Sequence, residues 1–436
     1  MCMNSLTESH CRCILLSGII SNLRVLNPTS KDMKSIIPYA ALISIGFALT
    51  FSSLNGQIKE KEEAPKGYEF TLVTSVPATP VKDQHRSGTC WSFASVSFIE
   101  SELLRTGKGA HDLSEMFFVR KAYEMKADKY VRLHGRGNFG PGGLALDVIR
   151  IWKEHGMVPN HVYDGLTTKD SLPVHGEMDG VLKAYVDAVI QNRNRELSTA
   201  WKKGFNGILD AYLGPVPQTF SFAGVSMSPE SFAKHTELDP DDYVAIGSYT
   251  HHPFYEDFLL EIPDNWIWGS IKNVPLDEMM QLLDHALENG YSVCWDADVG
   301  ERSYDWKRGV ALMPSTQIED LDGLERARWD ELSESEQEAL FYDFSSPKKE
   351  RSISQEDRQE MFDNYRTTDD HLMHITGIAK DQDGNKFYLV KNSWGTGNHI
   401  YKGYHYVSEA YMRAKTIFFM VHKEAVPLET ARKLEL

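Results

Sequence analysis

The sequence has few cysteines, no block of basic residues and a single long apolar run, and each shortage excludes a class of protein. Five of its 436 residues are cysteines, and three of those stand at positions 2, 11 and 13. The rest of the chain keeps only Cys90 and Cys294, so no disulfide framework is predicted. A net charge of −16 without a Lys/Arg block argues against nucleic-acid binding through phosphates. A metal is not expected, because Cys11 and Cys13 have no second pair of ligands in the sequence. No cofactor is expected either.

The uncharged run at residues 35–54 follows Lys34 and is followed by small residues and then by charged ones. A basic start, an apolar middle and a small-residue exit are typical of a signal peptide. We therefore predict a signal peptide at 33–56 and export to the periplasm or the extracellular space, with no stable membrane span after cleavage. An uncleaved anchor over residues 35–54 is the alternative, although the run is short for a bilayer core.

Composition divides the chain into an N-terminal part and one large domain. Met33-Lys34 is a better natural start than Met1, so the segment upstream of it is expected to be spurious or discarded. The predicted boundaries are 1–32 for that segment, 33–56 for the signal peptide, 57–67 for a linker and 68–436 for the domain. Within the domain we expect a helical lobe at about 80–290, a β-rich lobe at about 291–425 and a tail at 426–436.

A polar loop leads into Cys90, and an apolar helical run follows directly and ends at Arg105-Thr106-Gly107. A cysteine on the first turn of a helix can lie near the positive end of the helix dipole, which lowers the thiol pKa and favours the thiolate nucleophile. Gln84 lies six residues earlier, and its amide is a candidate oxyanion donor together with the backbone N–H of Cys90. Taken alone, however, Cys90 is better explained as an inert buried cysteine.

The second group of candidate residues lies on a predicted hairpin. A strand beginning near His371 is followed by an Asp-Gly turn, and a second apolar strand returns to Asn392-Ser393-Trp394-Gly395. His371 and His374 are three residues apart, so they face opposite sides of a strand, and we choose His371. Its imidazole would take the thiol proton, and the Asn392 carbonyl would fix its tautomer.

Together these residues resemble the papain-like cysteine peptidases. Gln84 and Ser87-Gly88-Thr89-Cys90-Trp91 are similar to the nucleophile loop of that family, and Asn392-Ser393-Trp394-Gly395 is similar to its asparagine motif. The resemblance implies a two-lobed α+β fold with a Cys90–His371–Asn392 site. It also implies that Trp394 covers the His–Asn bond and that Gly142-Gly143 forms one wall of the substrate cleft, although a plain turn would explain two glycines as well.

The long separation of Cys90 from His371 and the absence of the usual loop cysteine resemble the bleomycin hydrolase and aminopeptidase C branch. That resemblance implies a hydrolase that removes N-terminal residues from peptide substrates, assembled as a homo-hexamer. It also implies that the C-terminal carboxylate lies in the cleft and receives the substrate amine. The tail at 426–436 does not look like the usual ending of this branch. An endopeptidase and a catalytically silent papain-like binding protein therefore stay open as alternatives.

Overall fold

The computed structural model describes residues 67–167, 171–193, 196–315 and 328–436. The predicted upstream segment, the signal peptide and nearly all of the predicted linker lie outside these ranges. Within the ranges, no helix has both the length and the apolar character needed to cross a lipid bilayer.

Helices dominate the first half of the described chain. The central helix α1 begins at Cys90 itself and ends at Arg105, as the apolar run and its stop signals predict. Ser114 caps α2 by accepting a hydrogen bond from the Phe117 N–H, which satisfies a free donor of the first turn. The helices are α1 Cys90–Arg105, α2 Glu115–Arg132, α3 Ala145–His155, α4 Gly176–Ile190, α5 Ala200–Leu213, α6 Pro229–His235, α7 Leu276–Glu288, α8 Glu334–Phe341, α9 Gln355–Asp363, α10 Glu409–Lys415 and α11 Leu428–Lys433.

Most of the strands belong to one mixed sheet. Its order is β5-β6-β4-β13-β7-β10-β11-β12-β9-β8, with β1 paired to β10, and β2 and β3 form a separate hairpin. The strands are β1 Thr71–Ser75, β2 Phe220–Phe222, β3 Val225–Met227, β4 Tyr243–Gly247, β5 Asp257–Leu259, β6 Ser270–Asn273, β7 Val293–Ala297, β8 Tyr304–Asp305, β9 Val310–Ala311, β10 His371–Lys380, β11 Lys386–Lys391, β12 Tyr404–Ser408 and β13 Thr416–His422.

Helices α1 and α7 cover opposite faces of this sheet. Cys294 and Leu372 point into the core that contains the apolar residues of α1. Their chain neighbours Trp295 and Met373 point into the core that contains the apolar residues of α7. This is the alternation of side chains along a strand, applied to β7 and β10. Helix α1 therefore packs on one face of the sheet, and α7 packs on the opposite face.

The mixture of helices and one large sheet agrees with the predicted α+β class. Strands β4, β5 and β6 lie before residue 290, inside the range expected to be a helical lobe, yet they join the sheet. Short strands carry little periodic signal, so the sequence does not indicate that these three join the sheet of the β-rich part. The division into lobes near residue 290 stays a prediction.

Candidate active site

Cys90 opens α1 at the junction between that helix and β10. Its side chain is 9% exposed, and the backbone N–H of Leu372 donates a hydrogen bond to the sulfur. Leu372 directly follows His371 on β10. The fold thus brings the cysteine and the histidine, 281 positions apart, to adjacent places.

The Cys90 side chain is not the thiolate that its position at a helix N-terminus suggests. Burial and, to a smaller extent, the nearby carboxyls of Asp296, Asp369 and Asp264 together raise the pKa of Cys90 to about 12, against the lowering effect of the Leu372 N–H. The expectation of a lowered thiol pKa is therefore wrong. The reason is desolvation, which disfavours the charged form more than the helix terminus favours it. This thiol needs a base to deprotonate it.

His371 is the candidate base. Its Nε2 lies 2.8 Å from Asn392 Oδ1, so Nε2 carries the hydrogen and Nδ1 is left as an acceptor. Burial lowers the pKa of His371 to about 4, although the bond to Asn392 favours the charged form. The imidazole is therefore neutral near pH 7 and can accept a proton.

Both the oxygen and the nitrogen of the Asn392 side-chain amide form hydrogen bonds. Its Oδ1 also accepts from the Ser393 N–H at 2.7 Å, and its Nδ2 donates to the Tyr304 hydroxyl at 3.2 Å. Tyr304 is a site residue that the sequence did not indicate. It lies 88 positions before Asn392, in a two-residue strand with no motif around it.

Aromatic rings shield the His371–Asn392 bond. The Trp394 ring stacks on His371 with 4.7 Å between centroids and 28° between planes. Trp306 packs edge-on against Trp394 at 5.1 Å. Trp394 itself is 36% exposed, so its outer face stays in contact with solvent. The predicted placement of Trp394 over this bond agrees with the geometry, and Trp306 is a further ring that the sequence did not single out.

Gln84 joins the nucleophile loop to the asparagine segment. Its Oε1 accepts from Ser393 Oγ at 2.6 Å, and its backbone N–H donates to the Ser393 carbonyl. Its Nε2 donates to the Ser87 carbonyl at 2.9 Å, which uses one of the two N–H groups and leaves the other for a ligand. The side chain is buried and fixed in place.

The loop of Gly142 and Gly143 lies beside the start of α1. Trp91 Nε1 donates to the Pro141 carbonyl at 2.9 Å. A Cβ added at Gly143 would lie 2.5 Å from Asp147 Oδ2, and one added at Gly142 would lie 1.9 Å from an Asp264 oxygen. A side chain at either position would therefore displace the carboxyl group of Asp264 or Asp147.

Two other histidine groups are distinct from this site. His374 faces α1, where its Nδ1 lies 2.8 Å from Ser97 Oγ, and the choice of His371 over His374 stays a prediction. His251 and His252 lie close to Glu261, and the three ligand atoms lie within 4.8 Å of one another.

Comparisons with known proteins match both parts of the site. The family model for papain family cysteine protease matches residues 65–178, which include Gln84 and Cys90. The model for the peptidase C1-like family matches residues 342–436, which include His371 and Asn392.

Curated relatives and a solved structure extend the likeness to most of the chain. Aminopeptidase C from Streptococcus thermophilus is 23% identical, over 92% of this chain and 94% of its own. Aminopeptidase C from Lactococcus lactis subsp. cremoris is 24% identical, over 83% and 84%. The crystal structure of PepW from Lactobacillus rhamnosis HN001 superposes with a TM-score of 0.62 at 20% identity, covering 84% of each chain.

Proposed function

The chain is a papain-like cysteine peptidase, and from that premise we propose that it is an aminopeptidase that acts through Cys90, His371 and Asn392. The proposal rests chiefly on one observation, the 2.8 Å bond between His371 and Asn392, and it is supported by the hydrogen bond from the next residue, Leu372, to the Cys90 sulfur. The restriction to N-terminal residues is supported by the relatives that bear the name aminopeptidase and align over most of this chain.

In this mechanism His371 Nδ1 takes the thiol proton while the sulfur attacks the carbonyl carbon of the first peptide bond. The carbonyl oxygen becomes an oxyanion, which accepts from the free Nε2–H of Gln84 and from the Cys90 backbone N–H. The imidazolium then protonates the leaving amine, and the C–N bond breaks to give a thioester. Water, deprotonated by His371, hydrolyses the thioester and releases the N-terminal amino acid. Because burial raises the pKa of Cys90 and lowers that of His371, the thiol starts out protonated and His371 is free to accept its proton.

Gln84→Ala is expected to lower kcat by on the order of 10²–10³-fold, the usual effect of losing one oxyanion donor. Steady-state hydrolysis of an aminoacyl amide measures the loss. Ser393→Ala is the matched control, because it removes the acceptor bond of Gln84 Oε1 and leaves the donating amide in place. The control should lose much less activity. A Gln84→Ala variant with normal turnover would remove Gln84 from the mechanism.

The proposed specificity is tested with one fluorogenic aminoacyl amide, offered with its N-terminus free and then acetylated. We expect efficient release of the fluorophore from the free form only. The same pair of substrates with the Cys90→Ala variant measures the background. Equal or better cleavage of the acetylated form would show an endopeptidase.

The endopeptidase remains a second candidate because of where the tail lies. Thr430 and Lys433 of α11 bond to Glu278 of α7, and Leu434 is buried in the core under α7. The tail thus packs with α7, behind the sheet, whereas Cys90 lies on the α1 face. A tail in this position does not block the cleft, which is what an endopeptidase requires.

Two further proposals rest on sequence alone. We propose export of the protein, because residues 33–56 read as a signal peptide. We also propose a homo-hexamer, on the resemblance to the bleomycin hydrolase branch. Size-exclusion chromatography with light scattering of the purified protein tests the second of these, and a monomer would contradict it.

A further inference from the structure

The hydroxyl of Tyr304 is the hydrogen-bond partner of the nitrogen in the Asn392 side-chain amide. Asn392 Nδ2 donates to this hydroxyl at 3.2 Å, and the hydroxyl in turn donates to the sulfur of Met373 at 3.3 Å. Tyr304 belongs to β8, which pairs with β9, whereas Asn392 directly follows the end of β11. The bond therefore joins two separate segments of the chain next to the partner of His371.

Three other rings pack against the ring of Tyr304. His405 packs edge-on, with 5.0 Å between the centroids and 72° between the planes. Trp394 also packs edge-on, at 6.1 Å, and Tyr411 lies at 6.2 Å with its plane tilted by 47°. Edge-on contacts of this kind are favourable arrangements of aromatic pairs. They restrict rotation of the Tyr304 side chain and so keep its hydroxyl in one place.

The Tyr304 hydroxyl is neutral near pH 7. Burial raises the pKa of Tyr304 well above its ordinary value, although the bond from Asn392 favours the charged form. A neutral hydroxyl has one proton, which is directed at the Met373 sulfur, and its oxygen lone pairs remain available as acceptors. The oxygen can therefore accept from Asn392 without competition from its own proton.

The two ends of the Asn392 amide have nearly the same shape, so their hydrogen-bond partners decide which end faces His371. In the structure Oδ1 lies 2.8 Å from His371 Nε2 and accepts from the Ser393 N–H at 2.7 Å. If the amide turned by half a rotation, Nδ2 would face two donors, and His371 would have to move its hydrogen from Nε2 to Nδ1. In that tautomer Nδ1 has no lone pair with which to accept the thiol proton.

Tyr304 supports the end of the amide that points away from His371. Asn392 is 2% exposed, so bulk water does not readily replace a lost partner. Among the described residues, Tyr304 supplies the acceptor that Nδ2 has. Without this oxygen, the Ser393 N–H alone would oppose rotation of the amide. The observed orientation thus depends on partners at both ends.

We propose that Tyr304 is a positioning residue whose hydroxyl fixes the Asn392 amide and, through it, keeps the hydrogen of His371 on Nε2. The inference rests on the proposed function, because it concerns the same Cys90–His371–Asn392 site. When His371 takes the thiol proton it becomes an imidazolium, and its bond to Asn392 Oδ1 becomes charge-assisted and stronger. An amide that is held at both ends is already in place to accept this bond.

Tyr304→Phe removes the hydroxyl and keeps the ring with its three aromatic contacts, so the fold should be retained. We expect kcat for an aminoacyl amide to fall roughly 3- to 30-fold, the range that corresponds to losing one hydrogen bond. KM should change little, because the effect passes through Asn392 and not through the substrate. Steady-state hydrolysis measures both constants. A Tyr304→Phe variant with the kcat of the wild type would overturn the proposal.

Tyr411→Phe is the matched control. It removes a hydroxyl from a ring beside Tyr304, but that hydroxyl donates to the Asp298 carbonyl at 2.8 Å and not to a residue of the site. The control should keep the kcat of the wild type. An equal loss in Tyr411→Phe would mean that any loosening of these rings lowers activity, and it would overturn a specific role for Tyr304.

A double variant tests whether Tyr304 acts through Asn392. In the Asn392→Ala background the hydroxyl has no amide to hold, so adding Tyr304→Phe should lower kcat no further. Residues that act through one interaction have non-additive effects of this kind. If the two losses multiply instead, Tyr304 affects activity by another route and the proposal is wrong.

Two further readouts separate positioning from a purely structural role. Alkylation of Cys90 by iodoacetamide should be slower in Tyr304→Phe than in the wild type and in Tyr411→Phe; an unchanged rate would contradict the proposal. The bond to Asn392 favours the charged form of His371, so weakening it should leave the acid limb of kcat/KM where it is or move it to lower pH. An acid limb at higher pH together with a lower melting temperature would indicate acid unfolding and would overturn the proposal.

Failure of the proposed function gives a different result from failure of this inference. If Cys90→Ala keeps the activity of the wild type, the proposed mechanism fails and the role of Tyr304 fails with it. If Cys90→Ala is inactive and Tyr304→Phe matches the wild type, only the role of Tyr304 fails. Equal cleavage of the acetylated substrate would overturn the aminopeptidase specificity alone, and kcat of Tyr304→Phe on that substrate would then decide the positioning role.

Discussion

Cys90→Ala is expected to lower kcat/KM for an aminoacyl amide with a free amine by at least about 10⁴-fold. The reason is that covalent catalysis is lost when the nucleophilic thiol is removed. The thiol forms the bond to the carbonyl carbon, and no second nucleophile among the described residues occupies its place at the start of α1. The measurement is steady-state hydrolysis with enough enzyme to detect the residual rate.

The fold should tolerate the change, since alanine differs from cysteine only by the sulfur atom and suits a helix. Cys294→Ala is the matched control. Cys294 is the other buried free cysteine of the described chain, and its sulfur lies 3.6 Å from Ser95 Oγ. We expect the turnover of Cys294→Ala to stay close to that of the wild type. If Cys294→Ala were the inactive variant and Cys90→Ala the active one, the assignment of the nucleophile would be wrong.

His371→Ala is expected to cause the second large loss, on the order of 10⁴-fold, because the thiol with its raised pKa has no other base. The double variant Cys90→Ala/His371→Ala should be no slower than the worse single variant, since residues that act as one unit have non-additive effects. Additive losses would mean that the two residues work separately.

The pH profile provides an independent check on His371. Burial lowers the pKa of His371 to about 4, so kcat/KM of the wild type should fall only as the pH drops through about 4, where the imidazole becomes protonated and cannot accept the thiol proton. In His371→Ala this acid limb should disappear, and the residual rate should rise with pH as the thiol ionises. An unchanged acid limb in the variant would assign it to another group.

The sequence was sufficient to select Cys90, His371 and Asn392 as candidate site residues. Cys90 stands at the start of an apolar helical run with clear stop signals at its end, and the Asp-Gly turn predicts the hairpin that returns Asn392 towards His371. These are local signals with short sequence separation. The α+β class and the papain-like peptidase assignment followed from them and are confirmed by the family matches.

The environment of those residues could not be predicted from the sequence. The high thiol pKa depends on burial and on carboxyls that come from 174, 206 and 279 positions further along the chain, at Asp264, Asp296 and Asp369. Tyr304 reaches Asn392 from a short strand with no motif. The place of the tail depends on its packing with α7 through Thr430 and Glu278. Each of these is a product of tertiary packing, which local pattern does not encode.

The most direct test of the central claim, that Cys90 and His371 form one reactive unit, is labelling with a thiol-directed epoxide followed by peptide mass spectrometry. We expect one label per chain, on Cys90, with Cys294 unmodified. We also expect labelling to become far slower in His371→Ala, because the thiol loses its base. Labelling of Cys294, or labelling of Cys90 at an unchanged rate in His371→Ala, would contradict that claim.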